Sequence, residues 1–256
     1  MGKNNFKWFV AAAVAAVLII PVYLFKPSGQ LNTEKLRAAV VAGFMQPFSD
    51  MSAEFERETG IRIEVTYSSA GKLYSQVING APYEIVLLDE ERAGRLFKEG
   101  YAENPFVYAK GEVVLWTVRK EFCGNADWRD AVKQKDLKKI GIANPEIAVY
   151  GMSAKKALQS SGLWKSVEPR LIQSPDLAQV FQYATTEAVD AGFCNLFQAY
   201  SEKGGKGCFY RMPEAPPVIH SACLIKNSAG REAVLKFAAY LVSPEAEKIK
   251  NKYGYK

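Results

Sequence analysis

Residues 61–88 read IRIEVTYSSAGKLYSQVINGAPYEIVLL, and the architecture grows outward from them. Ile61, Ile63, Val65 and Tyr67 alternate with Arg62, Glu64 and Thr66, the period-two pattern of a strand with one covered face. Residues 71–79 follow as a helix closed by Gly80, and 84–88 return as an apolar strand. Strand, helix and strand in succession build a parallel sheet through right-handed crossovers. Upstream, 36–41 reads as a buried strand and 48–59 as an amphipathic helix, with Met51 and Phe55 four apart and Gly60 at its end. Downstream, Ala93, Leu96 and Phe97 mark a helix that Gly100 ends.

A second α/β block opens at 113–118. It holds strands at 140–143 and 191–194, helices at 151–161 and 176–183, and a return strand at 221–226. Helices at 231–241 and 244–253 finish the chain. Two blocks with the last helices free to return predict two lobes around a cleft: 28–112 completed by 225–256, and 113–224. The strands at 113–118 and 221–226 are the expected hinge.

The 256 residues are 48% hydrophobic and 23% charged, which excludes a disordered tail, a collagen or a low-complexity scaffold. Lys3, Lys7 and Lys26 supply three of the 33 basic residues, so the rest is nearly balanced against 27 acidic ones and no nucleic-acid partner is expected. The basic tail at 248–256 reads as the solvated face of the last helix.

Between Lys7 and Lys26, residues 8–25 carry no charge and no glycine, and only one proline, Pro21. As a helix they would span roughly 27 Å, close to a bilayer core. Bulky residues follow where a signal peptidase requires small ones, and no early cysteine offers a lipid site. An uncleaved signal anchor over 1–27 is expected, with a cleaved signal peptide as the alternative; either exports the rest.

Cys123, Cys194, Cys208 and Cys223 suit an exported domain with one or two disulfides, and three pairings stay open. The alternative is a tetrahedral metal site of Cys194, Cys208, His220 and Cys223, which lacks the short Cys-x-x-Cys spacing. No metal or cofactor is expected. Enzymatic chemistry has little to stand on: His220 is the sole histidine and reads as structural or surface, and no nucleophile elbow, P-loop or dinucleotide fingerprint occurs. Gly204-Gly205-Lys206-Gly207 reads as a flexible turn. What recurs is a loop placed before a helix, at 42–44, 68–71, 144–150 and 174–175. Helix N-termini offer unpaired N–H groups and a positive dipole end, so several converging on one cleft bind a small anion without lysine or arginine.

The run Ser68-Ser-Ala-Gly-Lys-Leu-Tyr-Ser-Gln-Val-Ile-Asn-Gly-Ala-Pro82 resembles a signature of periplasmic molybdate-binding proteins. Ala143-Asn-Pro-Glu, Tyr150-Gly-Met-Ser-Ala-Lys, Asp190-Ala-Gly-Phe193 and Lys252-Tyr-Gly-Tyr255 agree with the same family, in order. The resemblance implies a type II two-lobed α/β fold of the periplasmic-binding-protein kind, here preceded by a transmembrane helix. It also implies a non-enzymatic receptor that hands molybdate or tungstate to an ABC permease. Its ligand donors would be the N–H groups of Phe44, Ala70, Tyr150 and Leu177, with side chains from Ser68, Ser69, Gln179 and Asn195. Gly43 stands where the family carries Ser or Asn, Ala70 where it carries a second hydroxyl, and Asn195 where some members place a Tyr. Two lost charge-assisted bonds predict binding weaker by about 3–6 kcal/mol. A membrane-anchored receptor of this type is therefore one expectation. The other is the same fold serving as a non-transport accessory subunit of a membrane complex, with a degenerate site.

Overall fold

The computed structural model describes residues 34–256. The expected anchor at 1–27 lies outside them, and among the described residues no helix is long and apolar enough to cross a membrane. Residues Lys35–Lys256 form one compact unit built on two five-stranded sheets.

The first sheet has the order β2-β1-β3-β10-β4, with β1 Lys35–Val41, β2 Arg62–Ser68, β3 Ile85–Asp89, β4 Ala102–Gly111 and β10 Val218–Ile225. β2, β1 and β3 are parallel, as the 61–88 pattern requires, and β10 runs antiparallel to both its neighbours. Alternation along β1 sends Leu36, Ala38 and Val40 to one core and Ala39 to another. The first core meets the helices Met45–Thr59 and Glu232–Leu241, where Phe237 packs on Phe48 at 5.7 Å and on Phe55 at 5.0 Å. The second core meets the helices Ala70–Ile78 and Glu90–Lys98 through Leu73, Val77, Ala93 and Leu96. Leu73, Val77 and Leu96 each contribute about 1.5–3 kcal/mol by burial.

The second sheet has the order β7-β6-β8-β5-β9, with β5 Val113–Thr117, β6 Ile140–Ala143, β7 Leu171–Ser174, β8 Ala191–Asn195 and β9 Cys208–Arg211. The helix Val149–Ser160 covers one face with Trp128, and Leu177–Thr185 covers the other. Helix 177–185 sits so close to the sheet that a Cβ on Gly141 or Gly192 would meet Val180 at 3.1 or 2.9 Å.

Glu112 alone separates β4 from β5, so the first crossing between sheets is as short as a chain allows. The return runs through 212–217, because β10 already pairs with β4 from Val218, opposite Gly111. Residues 218–224 thus belong to the first sheet, where the sequence places the return at 225. Strands β4, β7 and β9 are the ones the pattern does not reveal. β4 holds Pro105 and a left-handed Asn104 (φ 48°) and lies at a sheet edge, where such residues are tolerated. β7 and β9 are four-residue edge strands, too short to show a period.

Cys123 and Cys208 form a disulfide that ties the turn after Lys120–Phe122 to the edge strand β9. Cys194 and Cys223 are free and buried in separate cores, and burial pushes the Cys223 thiol up to about 12. The metal alternative of Cys194, Cys208, His220 and Cys223 is therefore overturned: Cys208 is oxidised, and the described residues hold no cluster of metal-ligating side chains.

Candidate functional site

Each sheet presents a pair of neighbouring loops at the C-terminal ends of adjacent parallel strands, where open α/β sheets bind ligands. In the first sheet the register Val41↔Ser68 sets the ends of β1 and β2 side by side. Ala42–Phe44 makes one turn of 3-10 helix before the helix Met45–Thr59. Ser68 and Ser69 lead into the helix Ala70–Ile78, where Ser69 is the N-cap and its Oγ accepts from the Lys72 N–H at 3.4 Å. In the second sheet the register Ala143↔Ser174 does the same for β6 and β7, and the Asn144 N–H donates to the Ser174 carbonyl at 2.8 Å. Tyr150 is the second residue of its helix and Leu177 the first of the next. Asp176 caps that helix through the Gln179 N–H, at 2.9 Å.

Asn195 joins this second pair. Buried at the end of β8, it caps the short helix Leu196–Tyr200 by accepting from the Gln198 N–H at 2.8 Å. The Gln198 amide in turn donates to the Leu177 carbonyl at 3.3 Å, which fixes the start of the Leu177 helix beside Asn195.

Between the pairs lies a buried aromatic knot at the chain crossing. Phe44 is fully buried, its ring 4.9 Å from Tyr108 and 4.8 Å from Tyr255. Its side chain is thus core, and only its backbone can serve a ligand. Tyr255 Oη donates to the Gly43 carbonyl at 3.3 Å, and Tyr150 Oη lies 3.1 Å from His220 Nε2. His220 Nδ1 is buried and has no partner among the described residues, and neither does Tyr108 Oη.

Burial sets the charge of this floor. It pushes the phenols of Tyr150, Tyr108 and Tyr255 up and lowers His220 to about 4, against the opposing charge of Asp89. Every one of these groups is neutral at pH 7. Asp89 is the nearby fixed charge: buried at the end of β3, it caps the helix Glu90–Lys98 and pairs with Arg92 at 2.8 Å. The arrangement offers neutral donors and two sets of helix starts to a small anion, with no proton shuttle or nucleophile for catalysis.

Of the residues expected from sequence, Gly43, Phe44 and Tyr150 meet through the knot. Ser68, Ser69 and Ala70 stand beside the first turn, and Leu177 and Gln179 beside Asn195. Gly43 is exposed and a Cβ there would touch nothing within 4 Å, so the position has room for a side chain. Two cavities border the crossing. One, of about 200 Å³, is lined by Asp89, Glu91, Val149, Ser153 and Lys156 among others. The other, of about 470 Å³, is lined by residues that include Lys110, Glu112, Arg211 and Lys256. Sequence reasoning does not find Tyr108 or Gly111, since β4 is hidden, and it assigns Tyr255 only to a family motif. It reads His220 as a structural or surface histidine, and the structure buries it.

A profile of bacterial extracellular solute-binding proteins matches residues 36–256. A molybdate-binding protein of Rhodobacter capsulatus is 31% identical over 248 residues, covering 96% of this chain and 95% of that one. One from Azotobacter vinelandii is 32% identical over 228 residues, covering 86% and 89%. The solved structure of a periplasmic molybdate-binding protein from Azotobacter vinelandii superposes with a TM-score of 0.76 at 25% identity, over 86% of this chain and 98% of that one.

Proposed function

The chain belongs to the family of bacterial extracellular solute-binding proteins, and on that premise we propose that it captures a tetrahedral oxyanion of the molybdate or tungstate type. It delivers that ion to an ABC permease on the extracytoplasmic face of the membrane. The observation that carries the reading is the pairing of helix starts on both sides of the chain crossing: 42–44 with 68–70 in one lobe, and Tyr150 with Leu177 in the other. A dianion held by N–H groups and neutral side chains keeps its charge and needs no counter-ion from lysine or arginine.

Gly43, Phe44 and Ala70 supply backbone from the first lobe, with the Ser68 and Ser69 hydroxyls beside them. Tyr150 and Leu177 supply backbone from the second, with the side chains of Gln179 and Asn195. The relatives named for molybdate binding support the ligand class. The apolar, charge-free run 8–25 supports tethering of the receptor to the inner membrane. Titration of residues 34–256 with molybdate, tungstate and sulfate tests the reading: saturable binding of the first two supports it, and no binding of any by a folded sample removes it.

A further inference from the structure

We propose that the Tyr150 hydroxyl is an interlobe latch: by bonding His220 across the chain crossing and resting on Gly111, it sets the angle at which the two lobes wait for their ligand. This rests on reading the chain as a two-lobed receptor, but it concerns a side chain and not the Tyr150 backbone N–H.

Tyr150 belongs to the second lobe by its helix and core, whereas His220 lies in β10 of the first sheet, between Asp89 of β3 and Ala109 of β4. The 3.1 Å contact between them therefore spans the lobes. It also sits beside both connecting segments. Gly111 is the last residue before the first crossing, and it pairs with Val218, the first residue after the second. A Cβ on Gly111 would lie 2.0 Å from Tyr150 Oη, so the phenol occupies the space that the glycine leaves at the hinge. Gly111 is not at a positive φ, so close approach is what the missing Cβ provides.

A hydrogen bond loses most of its strength when stretched by ~0.5–1 Å. Rotation of one lobe about the two connecting segments moves Tyr150 relative to His220 and breaks the contact. His220 packs edge-on against the Tyr255 ring at 5.6 Å, and the Tyr255 hydroxyl donates to the Gly43 carbonyl. The latch thereby couples the hinge to the first oxyanion loop. A made hydrogen bond carries a modest net gain over its two hydrated partners, so the resting state is biased toward the geometry that keeps it. A receptor already biased toward its closed form binds with less loss, since apparent affinity scales with the competent fraction.

Spin labels at exposed positions of the two lobes, introduced by S75C and Q159C, read the interlobe distance; Cys194 and Cys223 are buried and do not compete. The expected result for Y150F, without ligand and well below its melting temperature, is a shift to longer and broader distances. G111A, which displaces the phenol without removing it, gives the same shift. H220Q, which keeps an acceptor, stays near the wild-type distribution. Where molybdate binds the parent, its affinity for Y150F falls about tenfold as the competent fraction falls. A folded Y150F or G111A with the wild-type distance distribution overturns the latch. That arm needs no ligand, so failure of oxyanion binding and failure of the latch are separate results.

Discussion

Restoring hydroxyls at Gly43 and Ala70 should strengthen oxyanion binding, and the structure sets the scale. A Cβ on Gly43 meets no atom within 4 Å and the residue is not left-handed, so G43S introduces neither a clash nor backbone strain. Ala70 is the first residue of its helix, behind the Ser69 cap, where serine costs a few tenths of a kcal/mol at most. Each new hydroxyl that reaches a dianion adds about 1.5–3 kcal/mol. Single variants should then bind molybdate about 10- to 100-fold more tightly than the parent, and G43S/A70S roughly two to four decades more tightly. The assay is calorimetric titration of residues 34–256, with thermal melts run alongside to show that each variant folds as the parent does. Variants that melt like the parent yet bind no better would refute the placement of the ion between 42–44 and 68–70.

Two further outcomes follow from the disulfide and from the buried histidine. The Cys123–Cys208 bridge spans a sequence separation of 85, for which the chain-entropy estimate is about 4.6 kcal/mol. C123A/C208A should therefore unfold at clearly lower urea, and an unchanged midpoint would show that the edge strand β9 is held by other contacts. His220 is lowered from 6.5 to about 4 by burial, so the unfolded chain takes up a proton before the folded one does. Its effect on stability is nil above the unfolded value, grows as pH falls through 6.5 toward 4, and levels off below, for a loss of about 3 kcal/mol. H220Q should lack that part of the acid sensitivity; equal acid slopes for the two proteins would contradict the assignment.

The strands that build the centre of each sheet were legible because burial forces a pattern on them. β1, β3, β6 and β8 show apolar runs, and glycines such as Gly60, Gly80 and Gly100 end helices in left-handed turns, at φ 72°, 79° and 80°. Of the edge strands only β2 was legible, through the alternation of its one covered face; β4 tolerates Pro105 and its neighbours, and β7 and β9 are too short to show a period. The same gap hid Tyr108 and Gly111 and set the return crossing several residues late, because β10 reveals its membership only through pairing with β4. Loop-before-helix positions such as Ala70 and Leu177 follow from local pattern. The knot of Phe44, Tyr108, Tyr150, His220 and Tyr255 does not, because its members come from five separate segments and meet only in the folded chain.

Calorimetric titration of wild-type residues 34–256 with molybdate, against tungstate and sulfate, tests the central claim most directly. One saturable site for molybdate and tungstate, weakened by N195A and strengthened by A70S, is the expected result. A folded, oxidised sample that gives no heat with any of the three would contradict it.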